Sequence, residues 1–193
     1  MRKHEAGFSV IEVTVVAGVA MITMGLAAPS ITSAIETYQF NSEVQNVAAT
    51  IRSARYKAVS SNVTMRLRFN CPATGQMRLV EVTGVSGIDD ATNRCDTTAY
   101  PYPDPDASAA PNNDGPVIQM SSTVDLPTTV HGLEVSTAGR IQPLTGCPSC
   151  SAGSPPAVLV MGDDRTSTDR TITVTATGGT TIARYGTART EAD

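Results

Sequence analysis

Gly7-Phe8-Ser9-Val10-Ile11-Glu12 opens an apolar run that continues to Ala28. The run sets one carboxylate, Glu12, among aliphatic side chains, small residues and hydroxyls. The 21 residues from Phe8 to Ala28 would measure about 31 Å as a helix, enough to cross a bilayer. A charge near the bilayer centre costs about 2.5–3.5 kcal/mol on insertion scales, so a carboxylate there needs a partner. Arg2 and Lys3 precede the run. The positive-inside rule therefore puts the N-terminus in the cytoplasm and the remainder outside. Gly18 and Gly25 suit a membrane helix, in which glycine is common. Pro29 closes the run and would kink a helix continuing beyond it.

Two plainer readings compete. A secretory signal peptide also starts basic, and Ala27-Ala28 could mimic its cleavage site, but its apolar core is only about 7–15 residues. A plain membrane anchor fits the length and leaves Glu12 without a purpose.

The hexamer resembles the prepilin-type signal of type IV pilins and type II secretion pseudopilins. The resemblance implies a cut by prepilin peptidase between Gly7 and Phe8, on the cytoplasmic side, and N-methylation of Phe8. Glu12 then becomes the fifth mature residue and Pro29 the twenty-second, where the family carries those residue types. The leader Met1–Gly7 is short and basic, although Glu5 lowers its charge, and Val10 stands where leucine is more usual. The cut also supplies a partner for Glu12. The new α-amine on Phe8 of one subunit can lie beside Glu12 of its neighbour, offsetting the desolvation of both groups. Glu12 is then an assembly residue, and the partners implied are other pilin or pseudopilin subunits, the peptidase and an inner-membrane assembly platform.

The chain has 193 residues and a formal net charge of −4. Loss of Met1–Gly7 removes Arg2, Lys3 and Glu5, leaving −5. An acidic chain without Trp, with 3 Phe and 5 Tyr, argues against a broad nucleic-acid-binding face. Four cysteines, Cys71, Cys95, Cys147 and Cys150, suggest disulfides in an exported domain. Three pairings are open; Cys71–Cys95 and Cys147–Cys150 are favoured because each closes a local loop. Cys147-Pro148-Ser149-Cys150 lies in a Gly/Ser/Pro-rich loop, not at the strand-to-helix junction of a redox motif. A four-cysteine zinc site would need two tight cysteine pairs, and only one exists.

Beyond Pro29 a second helical stretch runs over about 30–60. Phe40, Val44, Val47, Ile51, Ala54 and Ala58 recur at spacings of 4, 3, 4, 3 and 4, an apolar stripe that should pack on the domain's own sheet. The opposite face carries Asn41, Glu43, Gln45, Arg52, Arg55 and Lys57. The two stretches together read as one long helix. The remainder reads as β. Alternation predicts strands over Val63–Phe69 and Gln76–Thr83, then Val130–Ser136 and Arg140–Leu144 around Thr137-Ala138-Gly139. Ala157–Met161 is predicted to be a fully apolar central strand. Arg170–Ala176 and Thr180–Tyr185 are predicted to join through a two-residue Gly178-Gly179 loop. Gly84–Pro116 reads as a long loop with few large apolar residues to pack, and a loop of that length is usually functional or disordered. Its Tyr100-Pro101-Tyr102-Pro103 reads as extended chain. Thr145–Pro156 is a second loop.

The expected fold is therefore α+β, a long N-terminal helix laid on an antiparallel sheet, similar to pilins. Its parts are a leader (1–7), a transmembrane or filament-core helix (8–29), its amphipathic continuation (30–61) and a periplasmic β-rich domain (62–193) with the long loop 84–116. Ile51–Val59 followed by a strand, Leu133–Ile141 around a glycine, and Arg170–Arg184 with its glycine hairpin resemble the GspH/FimT group. That resemblance implies a minor pilin or pseudopilin anchored in the inner membrane by one span. A second implication is a DNA-binding uptake pilin, with Arg184 and Arg189 as the contacts, although Glu191 and Asp193 follow. No catalytic constellation, cofactor motif or metal-ligand set is read. His4 lies in the leader, and His131 has no nucleophile signature near it. Asp163, Asp164 and Asp169 lack the glycine and closing Glu of a calcium loop.

Overall fold

The computed structural model describes residues 9–103, 110–122, 124–145, 151–163 and 169–184, without the side chains of 25–30 and 151. The chain divides into two compact units, Met1–Gln39 and Phe40–Asp193.

Helix α1 runs over Val10–Ser61. It continues through position 29 as one long helix, as expected. In the second unit its apolar stripe is buried as the spacing requires: Phe40, Val44, Val47, Ile51, Ala54 and Ala58 all join the core. The helix stops at Asn62, whose φ of 55° is left-handed. Asn62 N–H donates to the Val59 carbonyl and Val63 N–H to the Ala58 carbonyl, the paired closure that ends many helices. Asparagine tolerates this conformation because its short polar side chain does. Val63 then turns back onto the core.

Among the described residues ten strands follow: β1 (Met65–Phe69), β2 (Gln76–Glu81), β3 (Val117–Gln119), β4 (Val124–Asp125), β5 (Gly132–Val135), β6 (Ile141–Thr145), β7 (Ser151–Ala152), β8 (Ala157–Asp163), β9 (Arg170–Val174) and β10 (Thr180–Arg184). They form two antiparallel sheets rather than the single one expected. One has six strands in the order β3-β2-β1-β5-β6-β7, the other four in the order β10-β9-β8-β4. The inward side chains of both sheets and the helix stripe share one core. On β1, Met65, Leu67 and Phe69 enter it, and Arg66 and Arg68 take the other face.

Ala157–Met161 is central in its sheet, between β9 and β4, as expected, and it buries one face. Ala157, Leu159 and Met161 are buried, and Val158 and Val160 are 46% and 38% exposed. Valine here serves strand geometry as much as burial. The β9–β10 hairpin pairs Val174 with Thr180, so its loop is Thr175–Gly179, not two residues. Thr175 N–H bonds the Gly179 carbonyl, and Gly178 takes the left-handed φ of 82°. The long loop 84–116 contains a four-residue helix α2 (Ser86–Asp89) and is held by buried polar groups where no apolar cluster was available. The Cys71–Cys95 disulfide forms as favoured; Cys147 and Cys150 lie outside the described residues.

Candidate functional site

The N-terminal half of α1 is an apolar surface. Val10, Ile11, Val13, Val15, Val16, Val19, Met21, Ile22 and Met24 are all more than half exposed. Its hydroxyls are internally satisfied: Thr14 Oγ1 donates to the Ile11 carbonyl, and Thr23 Oγ1 to those of Val19 and Ala20. Such back-bonding removes the need for an outside partner. Glu12 is the exception. It sits in the first turn of α1, where the helix dipole favours a carboxylate. Among the described residues it forms no ion pair. Beside it, Val13, Val16, Ala17 and Ala20 line a shallow apolar groove of about 370 Å³. Gly7 and Phe8 lie outside the described residues. Among the described residues no helix is long and apolar enough to cross a membrane. The described side chains of this stretch stop at Met24, short of the expected span to Ala28.

In the second unit three sequence features quoted separately come together at Arg55. Its Nε donates to the Gly139 carbonyl at 3.1 Å, at the β5–β6 turn. A Cβ on Gly178, at the β9–β10 turn, would lie 2.6 Å from Arg55 Cδ, and one on Gly139 would lie 2.9 Å from its Nε. Arg52 Nε donates to Thr180 Oγ1 at 3.1 Å. The arginines of the helix thus fasten both glycine turns.

The long loop is fixed by a charge cluster that sequence reading missed. Arg78 on β2 and Arg94 in the loop are fully buried. Arg94 forms a two-pronged ion pair with Asp114, Nη2 to Oδ1 at 2.8 Å, and also bonds the Glu81 carbonyl. Its guanidinium stacks 4.5 Å from the Tyr100 ring centre. Arg78 donates to the carbonyls of Gly115, Cys95, Asp96 and Tyr100. Burial pushes its pKa down, opposed by Asp114 and reinforced by Arg94. The nearby Lys57 ammonium is also pushed down by burial, against the pull of Asp114 and Glu81. The available signal was Arg78 in a strand whose neighbours are apolar. A guanidinium there needs acceptors, and the loop's carbonyls supply them. Tyr100 is thus a loop anchor, and Tyr102 is exposed.

The remaining residues singled out from the sequence are dispersed. Arg184 is exposed at the end of β10, opposite Arg170, whose Nε bonds Asn41 on the helix. Arg189 lies outside the described residues. His131 is exposed, and its backbone joins the six-stranded sheet through Phe69 and Leu144. Asp125, Asp163 and Asp169 border a cleft of about 660 Å³, and Asp164 lies outside the described residues. Among the described residues no group of three or more His, Cys, Asp or Glu could hold a metal ion. No protein-family model matches the chain, and no curated protein or solved structure matches it.

Proposed function

We propose that this chain is a minor pilin or pseudopilin, a structural subunit of a type II secretion pseudopilus or a type IV pilus. It is inserted in the inner membrane with its β domain in the periplasm, cut between Gly7 and Phe8, N-methylated on Phe8, and assembled through α1. One observation carries the reading. The run from Gly7 leads into a helix whose apolar side chains are exposed and whose hydroxyls are self-satisfied, leaving Glu12 as the group that needs a partner. A neighbour's α-amine is a partner of the right charge. The pairing disfavours a lone subunit at depth and sets register between subunits. An α+β domain with an N-terminal helix and antiparallel sheets is compatible with a pilin-like fold.

Mass spectrometry of the membrane fraction tests maturation. The expected N-terminus is methylated Phe8. An N-terminus at Met1, or one after Ala28, overturns the proposal. Gly7→Leu should leave the leader attached. Glu12→Ala should be cut normally and be missing from the sheared filament fraction; incorporation at the wild-type level would remove the assembly role of Glu12.

A further inference from the structure

Among the described residues Arg68 is a buried charge whose guanidinium has neither a hydrogen-bond acceptor nor a counter-charge. Strand alternation puts it on the outer face of β1, with Arg78 and Gly132 as its cross-strand partners. Arg78 is surrounded by carbonyls and lies 3.8 Å from Asp114. Arg68 is only 7% exposed, yet among the described residues its side chain makes no hydrogen bond or ion pair, and its Nη1 is wholly buried. Burial pushes its pKa down, with Arg66 and Arg94 adding repulsion and Asp90 opposing them. A buried, unpaired guanidinium is strongly unfavourable, because protein neither hydrates nor neutralises it.

The surroundings leave room for what is missing. Arg68 borders a cleft of about 490 Å³, walled also by His131, Thr92, Thr128, Thr74 and Cys71. Gly132 brings no side chain to the β5 side of Arg68, and a Cβ there would lie 2.4 Å from the Leu67 carbonyl oxygen. The Cys71–Cys95 disulfide ties the cleft's wall to the long loop. The walls offer hydroxyls and an imidazole, which can donate to an anion, and no carboxylate lines them.

We propose that this cleft binds a small oxyanion group, a carboxylate or a phosphate, through the Arg68 guanidinium. A planar fork of N–H donors is matched to either, and the cleft's volume admits a group of that size. The proposal is independent of the assembly reading, and the failure of either leaves the other standing.

The test uses the full chain in mild detergent, with inorganic phosphate and acetate as probes against chloride at equal ionic strength. Thermal unfolding should show a saturable rise in midpoint, about 2–4 °C at five times the dissociation constant. Arg68→Met should abolish that rise and, by removing the unpaired charge, raise the midpoint in chloride. A rise in Arg68→Met equal to wild type overturns the proposal. Nitrogen-15 spectra of the unmutated chain give a second readout, should the variant fail to fold. The Arg68 Nε–H resonance should move saturably while those of Arg78 and Arg94 stay fixed. A response to phosphate alone assigns a phosphate ligand, and a response to acetate alone a carboxylate. No saturable response to either at 100 mM, roughly a hundred-thousandth of the affinity of a micromolar site, overturns it.

Discussion

Arg55 is held between two turns that glycine alone fits well. Gly178 combines a φ of 82° with an approach of 2.6 Å between its would-be Cβ and Arg55 Cδ. The two effects can be separated. A left-handed φ costs a non-glycine residue about 1 kcal/mol or more wherever its neighbours lie. The steric part depends on Arg55. Gly178→Ala should therefore destabilise by about 1–3 kcal/mol in the wild-type background. In Arg55→Ala the same change should cost only about 1 kcal/mol. A double-mutant cycle by urea unfolding measures the difference. Equal costs in the two backgrounds would show that Arg55 does not fasten the hairpin. The glycines and the arginines were each visible in the sequence. Their meeting was not, because Arg55, Gly139 and Gly178 belong to separate elements far apart in the chain.

Elements differ in how openly the sequence declares them. The stripe from Phe40 to Ala58 was readable because 3.6-residue periodicity persists over many turns and every member is buried. β3 and β4, with three and two residues, are too short for any period to show. Two sheets in place of one could not be read either, since strand pattern fixes which side is buried and not which strands pair. The segment 84–116 was misjudged because it was weighed for apolar content. Its anchors are Arg94, Asp114 and Asp89, the last accepting from Thr83 and Gly84. This pinning gives the loop's clearest test. Asp114→Asn leaves Arg94 without its counter-charge while keeping side-chain volume. Breaking one side of a buried pair costs about 3–5 kcal/mol. The loop should loosen before the core does: limited proteolysis should cut within 84–116 while amides of β1 and β5 stay protected from exchange. Unchanged stability and uncut chain would show that Arg78 and Tyr100 hold the loop without the ion pair.

At the scale of the whole chain, the core and most of the large exposed hydrophobics fall on opposite sides of one boundary. Among the described residues every core side chain belongs to Phe40 or beyond. Large exposed hydrophobics cluster between Val10 and Tyr38, a patch far larger than isolated surface valines would make. An exposed apolar patch of that extent is the kind of surface the proposed assembly would use. The two compact units meet at 39 and 40. The division has a direct consequence for truncation. A chain beginning at Ser30 loses none of the described core side chains, retains the stripe and both sheets, and keeps the Cys71–Cys95 link. Ten residues before Phe40 remain to complete the helical turns on which the stripe depends. The fragment 30–193 should therefore stay in solution without detergent and unfold in one cooperative transition. Its stability should match that of the full chain in mild detergent to within about 0.5 kcal/mol, the usual span of changes away from a core. Urea unfolding followed by circular dichroism measures both. A broad, non-cooperative transition would mean that the first unit contributes to the core of the second. In that case the N-terminal helix would be part of the domain's stability, and its apolar surface could not be free for assembly.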